Sequence, residues 1–203
     1  MFQPLKSISR AGRPGGLTLI ELMIVLAVAA VLVVLTAPSF KRMIDTQRVR
    51  SINAALVTDL QLARGEAASR NSQVWIEFDK TGANLTCYVI FTGSRDQCDC
   101  RNTPGSDVCV GSGTKEIRTV QVERSLGITV SVPTAQTLDL VGFDPATGRL
   151  LVIPVDNPTP ATEPFKIEVK HSEVGGFVDE LEVTGRPTVC SPSSQISGVP
   201  ACL

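Results

Sequence analysis

The stretch RPGGLTLIELMIVLAVAAVLVVLTAPSFKR, residues 13–42, decides how the rest of the chain is read. Residues 17–40 form a run of 24 with Glu21 as the one charge and Pro38 near the end. A helix of about 20 apolar residues, rising about 1.5 Å each, spans the hydrocarbon core of a bilayer, so this run is a membrane segment. Lys6, Arg10 and Arg13 precede it with no acid among the first sixteen residues, and all six cysteines follow it. Basic residues on one side place residues 1–16 in the cytoplasm and the body outside. A secretory signal peptide would have an apolar region of about 7 to 15 residues, free of acids and closed by small residues. APSFKR is a poor site of that kind, and a plain anchor would gain nothing from Glu21.

A carboxylate within a membrane helix costs about 2.5 to 3.5 kcal/mol even on a lenient insertion scale, which makes it a functional residue by default. Something must neutralise Glu21. A cut between Gly16 and Leu17 would create an α-amino group four residues before the carboxylate, a cation with no other partner at that depth.

These residues, GGLTLIEL, resemble the class III signal of type IV pilins and type II secretion pseudopilins. The resemblance implies that prepilin peptidase cleaves after Gly16 and N-methylates Leu17. It also implies that Glu21, fifth in the mature chain, meets the N-terminal amine of a neighbouring subunit during assembly. Pro38 sits where pilins carry a helix-bending proline. The bend has an elementary cause as well: proline lacks a backbone donor and clashes with the preceding turn, so a kink or local melting is expected.

Beyond the membrane segment there is no Gly or Pro until Gly65, and Val49, Ile52, Leu56, Leu60, Ala63 and Ala67 recur at helical spacing. That face should pack on a sheet. Arg42, Arg48, Arg50, Asp59, Arg64 and Glu66 read as the solvated face. After Asn71 the period changes: Val74, Ile76 and Phe78 alternate with Trp75 and Glu77, DKTGAN makes a turn, and residues 85–91 form the second strand of a hairpin. Further strands are expected over 117–122, 127–132, 137–143, 149–155, 165–171 and 177–183, joined by turn-rich segments such as DPATGR and SEVGG. The fold class is therefore α+β, a long N-terminal transmembrane and amphipathic helix packed on antiparallel sheet. The expected divisions are a cleaved leader over 1–16, a membrane and assembly helix over 17–40, and a periplasmic domain over 41–203.

Within the pilin superfamily, LVTDLQLARGEAASRNSQVWIEF, residues 56–78, resembles the helix-to-strand passage of the GspH/FimT group. GFDPATGRL and LEVTGRPTVC resemble that group's two Gly-Arg turns. The resemblance implies a minor pilin of an inner-membrane, single-pass topology, incorporated in a type IV pilus, at its tip, where it primes assembly. The alternative it implies is the minor pseudopilin of a type II secretion system. The implied partners are prepilin peptidase, other minor and major pilins or pseudopilins, and inner-membrane lipid.

Six cysteines behind a membrane segment indicate an oxidising compartment. Cys190 and Cys202 enclose the short tail SPSSQISGVPA and are expected to pair. Cys87, Cys98, Cys100 and Cys109 then pair among themselves in a connectivity the sequence leaves open, although Cys98 and Cys100 are too close to bond to each other without strain. Zinc is the weaker reading, because C-x-C spacing suits a structural zinc site poorly; no metal and no cofactor are expected. His171, the single histidine, reads as a surface strand residue, and Asp179, Glu180 and Glu182 read as a solvated strand edge. No nucleophile elbow, phosphate loop or histidine-based metal motif occurs, so the chain reads as a non-enzyme.

Of the nineteen basic residues, sixteen lie from residue 17 onward against twenty acids, a balance of −4 that does not suggest a phosphate-binding surface. Some FimT-like pilins take up DNA through a C-terminal G-R-x-R motif. Here Gly185 and Arg186 are followed by Thr188 in place of the second arginine. Each lost phosphate contact weakens binding, and Arg95, Arg101 and Arg149 read as scattered surface residues. DNA binding through Arg186 is expected to be weak or absent.

Overall fold

The computed structural model describes residues 16, 18–79, 84–94, 97–105, 108–134, 136, 138–152, 158–192 and 196–202. The chain divides into two compact units, Met1–Lys41 and Arg42–Leu203. One helix, α1 (Leu19–Arg70), begins in the first and ends in the second. In the first unit every described residue is exposed, and the helix has the length and hydropathy of a membrane span. It runs unbroken through Pro38, so the local melting expected there is not found. The Thr36 hydroxyl donates to the Leu32 carbonyl four residues earlier, at 2.9 Å, the back-bonding common to threonine within helices.

In the second unit α1 turns Asp45, Val49, Asn53, Leu56, Asp59, Leu60, Ala63 and Ala67 inward. Ten strands follow: β1 (Val74–Phe78), β2 (Leu85–Thr92), β3 (Lys115–Glu123), β4 (Ile128–Ser131), β5 (Leu140–Phe143), β6 (Leu150–Val152), β7 (Thr159–Pro160), β8 (Phe165–His171), β9 (Gly175–Leu181) and β10 (Pro187–Cys190). They form a six-stranded sheet in the order β3-β2-β1-β5-β6-β7 and a four-stranded sheet in the order β10-β9-β8-β4. Every pairing is antiparallel. The β1–β2 hairpin has Phe78 opposite Tyr88; most of the DKTGAN turn lies outside the described residues. β8 occupies the residues expected of it. β9 begins two residues early and ends at Leu181, because the next turn takes Glu182 and Val183. β5 starts only at Leu140, and residues 153–155 of the expected sixth strand lie outside the described residues.

The main core joins the helix face to both sheets, with Leu56, Leu60, Ile76, Phe78, Tyr88, Ile90, Val141, Phe143, Ile167 and Leu181 among its fully buried members. Phe78 sits between Tyr88 and Phe165, its ring centroid 5.5 Å and 6.1 Å from theirs. A second cluster lies on the opposite face of the large sheet: Trp75, Cys87, Val89, Phe91, Cys100, Val108, Leu140 and Leu151. Alternation placed Trp75 on the outer face of β1, and it is there, but it is only 4% exposed. The segment after β2 folds back over it, tied by Cys87–Cys100 and Cys98–Cys109. A sheet buried on both faces accounts for the nearly continuous apolar run of β2. Gly142 is required opposite the tryptophan, since a Cβ there would strike the indole ring.

Candidate functional site

The start of α1 is built by a local device. Thr18 accepts a hydrogen bond at its hydroxyl from the Glu21 backbone N–H at 3.3 Å. This is half of a capping box, the T-x-x-E signature of a helix start. Sequence reasoning concentrated on Glu21 and passed over Thr18, although the spacing was visible. Gly16 and Glu21 are both exposed, and the Glu21 carboxylate has no partner among the described residues. Leu17 lies outside the described residues.

At the other end of α1 the two Gly-Arg turns come together. In the first, the Asp144 carboxylate accepts the backbone N–H groups of Ala146 and Thr147, at 3.2 and 2.7 Å, and the Thr147 hydroxyl at 2.7 Å. Those bonds hold its pKa below the usual carboxylate range. Gly148 then takes φ +65°, where a Cβ is unfavourable. In the second turn Gly185 donates to the Glu182 carbonyl at 2.7 Å and takes φ +78°. The turns are joined by a bond from Leu150 N–H to the Val183 carbonyl at 3.1 Å. Arg64 of the helix lies against both. A Cβ on Gly148 would sit 2.7 Å from Arg64 Nε, and one on Gly185 would sit 3.4 Å from the same atom and collide with the Gly148 carbonyl.

One expectation is corrected by this arrangement. Arg64 is half-buried under the turns rather than on a solvated face. Arg149 is at the surface as expected; it follows Gly148 as Arg186 follows Gly185, and both are exposed. Among the described residues, none of the three guanidinium groups has an ion pair or hydrogen bond. Arg101 is instead paired with Asp99 at 2.7 Å, and Arg95 lies outside the described residues. Thr188 donates to the Glu180 carbonyl at 3.2 Å, a bond along the strand pair and not toward a ligand.

Three polar groups expected at the surface are buried instead. Asp59 is covered by the sheet, accepting the Tyr88 hydroxyl at 2.7 Å and lying 3.2 Å from Arg118 Nε. Burial and the Asp59 carboxylate together raise the Tyr88 pKa well above its ordinary value. Asp179, on β9, is 0% exposed; Asn53 Nδ2 donates to it at 3.3 Å, and its second oxygen has no partner. Burial raises its pKa to about 7, against a smaller lowering by Asn53. His171 is buried at the end of β8, its Nδ1 accepting the Glu173 N–H at 3.0 Å and its Nε2 3.8 Å from Asp45. No catalytic dyad forms among the acids of β9, since Asp179 faces the helix and Glu180 pairs with Lys166 at 3.6 Å.

The cysteines resolve into Cys87–Cys100, Cys98–Cys109 and Cys190–Cys202. The last closes a tail that docks on the domain through buried Ile196 and through Arg50, which donates to the Ser197 carbonyl at 2.6 Å. Among the described residues no cluster of three metal-ligating side chains occurs.

Residues 54–175, more than half of the chain, match the family described as Type II transport protein GspH. Residues 13–37 match the prokaryotic N-terminal methylation motif. Two crystal structures of the type IV minor pilin FimU of Pseudomonas aeruginosa strain PAO1, in space groups P21 and P65, are similar at 19% identity and a TM-score of 0.47. The alignments cover 74% and 73% of this chain and 96% and 100% of those chains. No curated protein matches the chain. A membrane-length helix that starts at a methylation motif and continues into a domain of antiparallel sheets defines a pilin or pseudopilin. Such a chain is a structural subunit, anchored by its helix, carrying a periplasmic domain, processed by prepilin peptidase and assembled with other pilins. Within that class the chain belongs to the GspH family of the type IV pilin superfamily.

Proposed function

We propose that the chain is a minor pilin of a type IV pilus, placed at the tip and priming assembly. It inserts in the inner membrane with residues 1–16 in the cytoplasm and residues 41–203 in the periplasm. Prepilin peptidase removes the leader after Gly16 and methylates the amine of Leu17. Glu21 then pairs with that amine on an adjacent subunit while the helix docks into the filament. The observation that carries this reading is Glu21 itself: a carboxylate in the first turn of an exposed apolar helix, with no partner among the described residues of its own chain. A charge left so in hydrocarbon costs several kcal/mol until a second chain supplies a cation.

Replacing Glu21 by valine leaves insertion intact and abolishes incorporation into sheared filaments. Equal incorporation of wild type and Glu21→Val would overturn the pairing. The name of the matching family, Type II transport protein GspH, favours a second reading, a minor pseudopilin of a type II secretion system. The two separate in a deletion strain in which surface pilin and secreted proteins are measured from one culture. Loss of pili with secretion intact supports the pilus, and the reverse supports the pseudopilus. No catalytic role belongs to either reading, and neither requires a cofactor. DNA is proposed to bind weakly or not at all, given Thr188 and the acids that flank Arg186.

A further inference from the structure

Arg64, Arg149 and Arg186 are far apart in sequence, on a helix and on two separate turns, and the fold brings them to one place. Gly148 and Gly185 both hold a left-handed φ and both lack the Cβ that would displace Arg64 or the neighbouring carbonyl. The turns are bonded to each other through Leu150 and Val183. The backbone turns that carry Arg149 and Arg186 are therefore held against each other and against Arg64. None of the three arginines has an anionic partner among the described residues, whereas Arg101, Arg118 and Arg70 are each paired to an acid. The cluster also lies far from the point where the helix enters the domain. From residue 42 to residue 64 the helix advances on the order of 30 Å.

We propose that this cluster docks a compact carboxylate patch on a neighbouring protein subunit. Guanidinium groups match carboxylates through paired, charge-assisted hydrogen bonds, and three of them carried on adjoining backbone favour a short acidic patch over a single charge. The surroundings select against a long polyanion. Asp144 and Glu182 open the two turns, and Glu180 stands across the strand pair from Thr188. Acids this near in chain and in strand pairing penalise a long run of phosphates more than a compact patch of two or three carboxylates. Such alternation of sign sets register and rejects wrong partners. The identity of the partner as another filament subunit rests on the assembly reading above; the chemistry of the cluster does not.

The test uses the full chain in neutral lipid nanodiscs, with a short polyglutamate peptide of two or three residues and a DNA duplex as probes, compared at equal total charge. Wild type binds polyglutamate, and the double variant Arg149→Gln/Arg186→Gln binds it about tenfold more weakly, with a shallower dependence on salt. Lys115→Gln, a neutralised cation on the edge strand β3, binds as wild type does. The fluorescence of Trp75 verifies that each variant is folded. Tighter binding of DNA than of polyglutamate, lost in the same double variant, would overturn the proposal in favour of a phosphate site. Unchanged polyglutamate binding in the double variant, or no binding by wild type, would also overturn it. Because no filament is involved, these outcomes are independent of whether Glu21→Val blocks incorporation.

Discussion

Asp179 should make the domain less stable as pH rises. The carboxylate is fully buried between β9 and α1, receives one hydrogen bond from Asn53, and leaves its second oxygen unpartnered. Burial raises its pKa from 3.8 to about 7. The folded state therefore holds a proton that the unfolded chain releases. Below the unfolded pKa both states are protonated and the full stability is present. Between that value and about 7 the unfolded state ionises alone, so stability falls as pH rises, and above about 7 the loss is complete. A separation of about three pKa units corresponds to about 4 kcal/mol, of which about 2 to 3 kcal/mol falls between pH 5 and pH 8. Asp179→Asn keeps an acceptor for Asn53 and removes the titration, so the variant is more stable than wild type at about pH 8 and its pH dependence is flatter. Urea unfolding of the full chain in micelles, followed through Trp75, the single tryptophan and a buried one, reads both. Wild-type stability that stays level or rises over this range, or an Asp179→Asn slope equal to that of wild type, would refute the reasoning.

The Gly-Arg turns give a ranked pair. Both Gly148→Ala and Gly185→Ala force a side chain into positive φ at about 1 to 3 kcal/mol, but Gly185→Ala also collides with the Gly148 carbonyl, while Gly148→Ala meets the movable Arg64 side chain. Gly185→Ala is therefore the more destabilising in the same urea assay, and the reverse order would contradict the packing. Removing the terminal bridge with Cys190→Ser/Cys202→Ser, a separation of 12 residues, lowers stability by about 3 kcal/mol on the chain-entropy account. A loss well below about 1 kcal/mol would mean that Ile196 and Arg50 hold the tail without it.

Much of the fold was written in short-range pattern. Helical spacing from Val49 to Ala67 named the face that is buried, and the alternation Phe165, Ile167, Val169 gave β8 its limits. The same alternation contained information that residue type overrode. Asp179 shares its parity with Phe177 and Leu181, and His171 shares its parity with Val169, so strand geometry placed both inside while their polarity suggested outside. Asp59 stands one position from Leu60 and three from Leu56 on the helix, within the buried arc. What the sequence did not carry was contact between distant segments. Trp75 is buried by a loop twenty or more residues away, held down by disulfides whose pairing spacing alone leaves open. Arg64 looked solvated because the two turns that cover it lie about a hundred residues downstream. Thr18, by contrast, was legible from its spacing to Glu21.

The buried polar residues of α1 have a common logic. Asp45, Asn53 and Asp59 all face the sheets, and each meets a polar side chain from a different strand: His171 on β8, Asp179 on β9, Tyr88 on β2. Beyond Glu21 the membrane part of the same helix is almost wholly apolar, and an apolar surface tolerates sliding and rotation. If the inward face of the domain part were only Val, Leu and Ala, a slip of one turn, about 5.4 Å, would still bury apolar against apolar. With three polar pairs in place the same slip strands up to six buried polar groups, at about 1 to 3 kcal/mol each. The pairs thus fix the register of helix on sheet while adding little net stability, since a buried ionisable group such as Asp179 is itself unfavourable once charged. This is also why Asp179→Asn, which retains the hydrogen bond to Asn53, isolates the titration, whereas an apolar substitution would change charge and register together.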